Sequence, residues 1–371
     1  MNSLYGGGHD DLFGFGGFGH SHSWRQPDPF SLGPQVTLDE SGALSPISTA
    51  TGHTWGHHSS STPTPTTTPT VGTSTGTPTP TLVSSSSSNL SIDLVWDASV
   101  AGAPSGFTAA VTAAVQALVN DLSTPAKTEL FVGVGWGEVN GQSMAANALG
   151  QSNSTGYLTS YATLANHLTA HGDVLNAANE PTSGQFYVAS AEAKALGMAN
   201  GTGGGTTSLD GHVGFSTLAG TGYAWQFGAT GTASNQYNLQ SVVQHEITEV
   251  MGRTSMEGLT TYNGVKTYTP LDLFDFSANH TLALSNTGGY FSNDGGATQM
   301  GVFNNSAAYG GDIADWASYG SASQSGTVVS GRQDPFDAFT RPGYNDTLTR
   351  DDMLEMAVLG ATLTPAGQAV A

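Results

Sequence analysis

Cysteine is absent from the 371-residue chain and basic residues are scarce: 8 Lys and Arg stand against 28 Asp and Glu, so the formal net charge is −20. Without cysteine, disulfides and thiolate ligands are excluded, and any metal site must use His, Asp, Glu or backbone oxygens. Nucleic acids and anionic membrane surfaces attract basic protein surfaces. The composition therefore argues against a nucleic-acid partner and favours divalent cations, which prefer oxygen ligands.

Long hydrophobic runs are also missing. No apolar segment is long enough to span a bilayer, so we expect no membrane span. The stretch from Met1 to Trp24 contains no Lys or Arg and no continuous apolar run, so a standard N-terminal signal peptide is not expected. An exported protein of this kind would use another signal. The small, uncharged segment 359–371 is suitable for that, although an ordinary frayed terminus explains the same residues.

Composition divides the chain into three regions. Residues 1–58 are rich in Gly and aromatics, which predicts a disordered N-terminal region; its histidines could also bind metal loosely. Residues 59–88 are almost wholly Ser, Thr, Pro and Gly, which is typical of an extended linker. The folded domain is therefore predicted over residues 89–371. The histidines of the first region are His9, His20, His22, His53, His57 and His58.

Hydrophobic periodicity in residues 89–371 predicts alternating strands and helices. Leu90 to Trp96 alternates as a strand does, and a helical pattern follows from Phe107 until shortly before Pro125. A second strand is predicted over Glu129 to Val139, and helical segments follow later in the chain. This order indicates an α+β domain built on a twisted mixed sheet.

The segment QHEITEVMGR, residues 244–253, has the spacing of a metal-binding helix. Asn238 is a good helix N-cap, and no Pro or Gly follows until Gly252. His245 and Glu249 are four residues apart, so their side chains can converge on one ion. Glu246 lies about 100° round the helix, where it could touch a water held by that ion. A surface helix with a polar face explains the same pattern without a metal.

The same segment resembles the HExxHxxG helix of zincin metalloproteases, with His245, Glu246 and Gly252 in matching positions. More narrowly, the run from Ile92 to Gly360 resembles a group of secreted bacterial zincin-like metalloproteases. Its matching segments are VGVGWGEVNG (132–141), AEAKALGM (191–198), DGHVGF (210–215), HEITEVMGR (245–253), PLDLFDFS (270–277), YFSNDGG (290–296), GDIADWAS (311–318) and DDMLEMAVLG (351–360).

This resemblance implies a zincin-like fold with an active-site helix, a secreted protein and a zinc-dependent peptidase that acts on a protein or peptide substrate. It assigns the metal to His245 and makes Glu246 the general base. The chain departs from the pattern at two places: Glu249 replaces the second His, and Ser255 stands where a longer motif has a third. A carboxylate can bind zinc, but an anionic ligand makes the metal a weaker Lewis acid.

The third ligand is open from the sequence. Asp272, in PLDLFDF, is the first choice, although a helix or turn cap explains it as well. Asp275 and His280 are alternatives. Arg253 could orient a carboxylate such as Glu249 or Asp272, or could lie on the surface.

Other polar residues allow both a functional and a structural interpretation. His167 and His171 could form a metal pair or a polar helix face, and His212 could support the site or be structural. The acidic loops could bind calcium or simply form turns. Met353 and Met356 are expected in the core rather than in a turn below a metal. The loop residues concerned are Asp312, Asp315, Asn293 and Asp294.

Two functions are therefore consistent with the sequence. The first is a metallopeptidase in which Glu246 acts as base, with Zn²⁺ as cofactor and Ca²⁺ as a second possible ion. The second is a secreted, acidic, non-catalytic protein that binds divalent cations and retains the helix for structure. Replacement of the second His favours the second function, whereas retention of Glu246 favours the first.

Overall fold

The computed structural model describes residues 45–47, 53–57, 79–145, 148–306, 311–317 and 334–371. Its helices are α1 (Phe107–Asp121), α2 (Tyr161–His171), α3 (Ser190–Ala195), α4 (Leu239–Val250), α5 (Arg350–Val358) and α6 (Pro365–Val370), with 3₁₀ turns at Ala98–Gly102 and Pro270–Leu273.

The strands, numbered in chain order, are β1 (Ser45–Ile47), β2 (His53–His57), β3 (Thr81–Ser84), β4 (Leu90–Trp96), β5 (Leu122–Ser123), β6 (Thr128–Trp136), β7 (Glu138–Val139), β8 (Gln142–Ser143), β9 (Ala148–Ser154), β10 (Gly156–Ser160), β11 (Gln185–Ala189), β12 (Gly211–Phe215), β13 (Ala224–Gln226), β14 (Gln236–Asn238), β15 (Thr260–Tyr262), β16 (Val265–Tyr268), β17 (Asp275–Ala278), β18 (Thr281–Leu282), β19 (Tyr290–Phe291), β20 (Phe339–Thr340) and β21 (Thr362–Leu363).

A mixed seven-stranded sheet forms the centre of the molecule, in the order β20-β2-β9-β12-β6-β4-β3. Strands β4, β6 and β12 are parallel, while β3 and β9 run antiparallel to their neighbours. Helix α1 connects β4 to β6, as a parallel pair requires a crossover. The α+β class and the mixed sheet that the sequence predicted are thereby confirmed.

Helices α1 and α4 pack against each other and against this sheet. Helix α1 buries Val111, Val115 and Leu118 on the periodic face seen in the sequence, and α4 buries Val243 and Ile247. Strand β6 is buried along almost its whole length, because both faces of a central parallel strand are covered. The apolar side of α4 thus fixes it beneath β9 and β12.

Smaller sheets surround this centre. A five-stranded sheet has the order β1-β10-β11-β16-β15, and a three-stranded sheet has the order β18-β17-β19. The segment between them contains the 3₁₀ turn Pro270–Leu273. None of the helices in the described part of the chain is both long and apolar enough to cross a membrane.

Three strands lie N-terminal to residue 89, where the folded domain is predicted to begin. Strand β3 lies inside the predicted 59–88 linker and pairs with β4. Strands β1 and β2 lie inside the predicted disordered region 1–58, and they pair with β10 and β9 respectively. The pairings of β1 and β2 join residues that are far apart in sequence, so local composition does not indicate them, whereas β3 and β4 are consecutive strands. The rest of residues 1–78 lies outside the described part of the chain.

Candidate metal centre

Helix α4 places its polar residues in the interior of the protein. Asn238 caps the helix by accepting a hydrogen bond from the Ser241 backbone amide at 3.0 Å, and Gly252 ends it in a left-handed conformation at φ 112°. His245, Glu246 and Glu249 are each at most 1% exposed. The interpretation of this segment as a surface helix is therefore wrong, and its polar face needs internal partners.

The imidazole of His245 is held from one side and faces carboxylates on the other. Its Nδ1 lies 2.6 Å from the carbonyl oxygen of Pro335, which can only accept, so Nδ1 bears a proton. Nε2 then points towards Glu249 Oε1 at 3.2 Å and Asp315 Oδ1 at 3.4 Å. Orientation of one ring nitrogen by a carbonyl is the usual arrangement for a histidine that binds metal through the other.

Each carboxylate of this cluster has a partner that fixes its position. Ser152, on β9, donates its hydroxyl to Glu249 Oε2 at 2.7 Å. Arg253 donates from Nη1 to Asp315 Oδ1 at 2.7 Å, and its Nη2 lies 3.7 Å from Glu249 Oε1. Burial raises the pKa of Asp315 to about 6, although the charges of His245 and Arg253 act in the opposite direction.

Arg253 is itself fully buried. Its Nε donates to the Thr248 hydroxyl at 3.1 Å, and its guanidinium lies 4.3 Å from the centre of the Phe336 ring. Burial alone would lower its pKa, but Asp315, Glu249 and Glu355 outweigh that effect and raise it. Arg253 therefore stays charged, and its contact with Glu249 agrees with the orienting role that the sequence allowed.

His245, Glu249 and Asp315 form the one group of three or more His, Asp or Glu side chains with metal-binding spacing in the described residues, with ligand atoms all within 4.8 Å of one another. Two ligands of a tetrahedral zinc at ~2.0–2.1 Å lie about 3.3 Å apart, close to the two distances from His245 Nε2. Two carboxylates would balance a divalent charge, whereas a protonated imidazole would offer one N–H to two acceptors. The residues therefore fit a divalent metal ion.

Glu246 lies beside this cluster and packs against β9. A Cβ atom on Gly150 would come within 2.3 Å of Glu246 Oε1, so only glycine allows the carboxyl to approach the strand this closely. Burial raises the pKa of Glu246 well above its usual range, and the charge and hydrogen bonding of Glu249 raise it further. Its carboxyl is thus held next to the three candidate ligands, and the burial and the negative charges around it favour its protonated form.

Asp272 does not take part in the cluster, and its prediction as the third ligand is corrected. Its carboxylate accepts hydrogen bonds from the backbone amides of Thr269 at 2.8 Å and Glu257 at 2.7 Å, and from the Ser255 hydroxyl at 2.5 Å. These donors occupy its oxygens. Asp272 therefore caps the turn Pro270–Leu273, which is the structural role that the sequence also allowed, and Asp315 is the third residue of the group that could hold an ion.

Asp275, the alternative third ligand, pairs with Glu257 instead. Burial raises the pKa of Asp275 to about 7, and burial together with the hydrogen bond to Asp275 raises the pKa of Glu257 to about 11. The negative charge of Asp275 thus adds to burial in favouring the protonated form of Glu257. His280, the other alternative, is exposed in a turn at φ 57°, as its sequence context indicated.

The remaining histidines of the described residues lie outside the His245 cluster. His167 Nδ1 lies 3.1 Å from the Leu196 carbonyl oxygen and His171 Nδ1 lies 3.2 Å from an Asp173 carboxylate oxygen, and neither histidine belongs to a group of three or more candidate ligands in the described residues. His212 lies on β12, where burial lowers its pKa. His53 and His57 lie within β2, and the other N-terminal histidines are outside the described residues.

The two acidic loops that were considered as calcium sites make different contacts in the structure. Asp294 accepts from the Ser292 hydroxyl at 2.6 Å and from the Thr298 amide at 2.9 Å, which is turn formation. Asp315 belongs to the His245 cluster, and Asp312 raises the pKa of Glu246 through its charge. Met353 and Met356 are buried in the core, as expected.

Sequence reasoning missed three contributions to the site. Asp315 was singled out for a loop and not for this cluster, and neither Ser152 nor Pro335 was considered. These three residues come from separate segments of the chain. For Asp315 the only sequence signal is that GDIADWAS stands among the segments that resemble the zincin-like group, and Ser152 and Pro335 lie outside all of those segments.

Comparison of the chain with models of protein families, with curated proteins and with solved structures finds no match of any of the three kinds.

Proposed function

We propose that the protein is a metal-dependent peptidase that hydrolyses peptide bonds of a protein or peptide substrate, with zinc bound by His245, Glu249 and Asp315. The observation that supports this most strongly is the convergence of these three side chains on one point beside Glu246. A structural metal site has no need of a proton acceptor in the next position of the helix. The resemblance to secreted zincin-like metalloproteases supports the same function and also favours secretion.

A zinc ion in this position would polarise the scissile carbonyl and lower the pKa of a water molecule towards ~7. The chain's own residues would prepare the reaction. Glu246 would accept a proton and pass it to the leaving amine. Pro335 orients His245, Ser152 orients Glu249, and Arg253 holds Asp315. These contacts fix the donors before a metal arrives and so reduce the cost of ordering them.

The chemical identity of the three ligands also leads to an expectation for the rate of peptide hydrolysis. With two carboxylates and one imidazole, the ligands neutralise a divalent charge, whereas a site with two histidines leaves a net positive charge. The metal would therefore be a weaker Lewis acid, and we expect slower hydrolysis than from a site with two histidines.

A second candidate function is a secreted, non-catalytic protein that the bound cation stabilises. The observation that favours it is complete burial: His245, Glu246 and Asp315 are each 0% exposed and Glu249 is 1% exposed. A substrate cannot reach the cluster in this conformation, whereas a structural ion needs no access.

Glu246→Gln separates the two candidates. Loss of a general base typically costs about 10²–10⁴-fold in rate, so we expect cleavage of an unfolded protein substrate to fall by at least 100-fold. Metal content should stay the same, because Glu246 is not a ligand. Glu129→Gln, a change on β6, is the control and should retain activity. Equal cleavage by Glu246→Gln and wild type would contradict the proposed role of Glu246; no cleavage by wild type, with metal bound, would favour the structural candidate.

A further inference from the structure

A cavity of about 700 Å³ lies on the side of the central sheet that faces away from α4. Its position follows from strand β12, whose residues alternate between the two faces of the sheet. Gly211 faces α4, because a Cβ atom there would come within 2.7 Å of the Val250 side chain, and the next residue, His212, lines the cavity. The cavity and the candidate metal centre therefore lie on opposite faces of this sheet.

A buried ion pair forms part of the cavity wall. Lys194, on α3, donates from Nζ to Asp210 Oδ2 at 2.7 Å and to the Glu129 carbonyl oxygen at 3.0 Å. Asp210 also accepts a hydrogen bond from the Ser190 hydroxyl at 3.0 Å and from the Phe131 amide at 2.8 Å. The two opposite charges thus offset each other, and both oxygens of the carboxylate already accept hydrogen bonds.

The more accessible part of the wall contains uncharged polar groups. Four hydroxyl groups and one imidazole there have no hydrogen-bond partner among the described residues: those of Tyr157, Thr206, Thr207, Ser208 and His212. Burial lowers the pKa of His212, so its imidazole is neutral at neutral pH. Hydroxyls and a neutral imidazole can each both donate and accept a hydrogen bond.

These groups determine the chemistry of a matching ligand. A charged ligand would find no free countercharge in the cavity wall, because Lys194 and Asp210 already pair with each other. A ligand whose own groups both donate and accept hydrogen bonds, as the hydroxyls of a sugar do, complements the five uncharged groups. The half-buried ring of Tyr157 adds an aromatic surface against which the C–H groups of a sugar ring can pack.

An extended peptide is a poorer match for the same cavity. Peptides that bind beside a sheet pair with a free strand edge. Strands β10 and β12, which border the cavity, each have a neighbouring strand on both sides. Recognition at this position must therefore come from side chains and from the loop 199–209, which lines the cavity.

We propose that this cavity is a binding site for a neutral carbohydrate, which contacts Tyr157, Thr206, Thr207 and His212. The cavity volume lies within the range of about 300–1,000 Å³ that is usual for small-molecule sites. Because the central sheet separates the cavity from the candidate metal centre, this inference does not rest on the proposed peptidase function, and the two can fail independently.

The test measures binding of the full chain to an array of immobilised neutral oligosaccharides, acidic oligosaccharides and unrelated peptides. The double variant Thr206→Ala/Thr207→Ala removes two exposed hydroxyls from the cavity wall. The matched control, Thr182→Ala/Ser183→Ala, removes two adjacent exposed hydroxyls elsewhere on the surface. Both changes lie at exposed positions, so both variants should fold as the wild type does.

We expect the wild type and the control to bind at least one neutral oligosaccharide, and Thr206→Ala/Thr207→Ala to bind it at least tenfold more weakly. Equal binding by the two double variants, or a wild type that binds no neutral oligosaccharide, would overturn the inference. If the cavity variant lost binding only to acidic oligosaccharides or only to peptides, the assignment of a neutral carbohydrate would be wrong.

Tyr157 provides a second test with the oligosaccharide that the array identifies. Tyr157→Ala removes the aromatic ring, whereas Tyr157→Phe removes only the hydroxyl and keeps the ring. We expect the affinity to fall at least tenfold in Tyr157→Ala and by no more than about threefold in Tyr157→Phe, since one neutral hydrogen bond contributes little. An unchanged affinity in Tyr157→Ala would show that the sugar does not occupy the cavity, and would overturn the proposal.

Discussion

Arg253 is the residue on which the arrangement of the buried carboxylates depends. It donates to Asp315 and lies near Glu249, and the charge of Glu355 also acts on it. Its fully buried guanidinium stacks on Phe336, so a lysine could not reproduce both the forked hydrogen bonds and the ring contact. Removal of this side chain would leave Asp315 buried without its cation.

We therefore expect Arg253→Met to lower the free energy of unfolding by about 3–5 kcal/mol, the usual cost of breaking a buried ion pair by removing one partner. Chemical denaturation measures this change. Arg350→Met, at an exposed position that begins α5, should change stability by no more than about 0.5 kcal/mol. If the two variants were equally stable, Arg253 would not hold the cluster as described.

At the scale of elements, the central contact is between α4 and β9. Val242 and Glu246, one turn apart on α4, both lie against Gly150. A side chain on residue 150 would have to displace one of them, and neither can move easily in a packed core. The glycine is thus required by close approach of the helix rather than by its backbone conformation.

Gly150→Ala is expected to destabilise the protein by about 1–3 kcal/mol through overpacking and to shift Glu246. The rate of hydrolysis should fall as well, because Glu246 is displaced. The three candidate metal ligands should keep their positions. The matched control is Gly102→Ala, where an added Cβ would meet nothing within 4 Å. A fully active and fully stable Gly150→Ala variant would mean that Glu246 is not held against β9.

Several elements were predictable because their signals are local. The alternation of Leu90 to Trp96 predicts β4, and the cap at Asn238 with the break at Gly252 predicts α4. Strands β1 and β2 could not be predicted in this way, since their pairing partners lie about a hundred residues away. Spacing on one helix likewise identified His245 and Glu249. The third member, Asp315, comes from a distant loop that only the fold brings near.

At the scale of the whole molecule, several buried carboxyl groups have pKa values above their usual range. Besides the candidate centre, Glu257 pairs with Asp275 and Asp352 lies against Asp334, with pKa values raised chiefly by burial. A carboxyl whose pKa is higher in the folded state than in the unfolded state binds more protons when folded. Its stabilising effect is complete below the unfolded pKa and is lost as the pH rises towards the folded pKa.

For Glu257 this range begins near its ordinary pKa of 4.5 and extends towards about 11. Stability should therefore decrease from pH 6 to pH 9, by up to about 1.4 kcal/mol per pH unit for one group. Glu257→Gln, which resembles the protonated acid, should make the dependence shallower, and Glu129→Gln should leave it unchanged. Denaturation midpoints at several pH values measure this, and an unchanged slope in Glu257→Gln would contradict a raised pKa of Glu257 in the folded state.

The central claim is that His245, Glu249 and Asp315 bind one metal ion, and metal content of the purified full chain tests it most directly. We expect near-stoichiometric zinc in the wild type, loss of zinc in His245→Ala and Asp315→Asn, and retention in Asp272→Asn, because Asp272 only caps a turn. Loss of zinc in Asp272→Asn with retention in Asp315→Asn would contradict the assignment. A wild-type chain that binds no transition metal would contradict the metal centre itself.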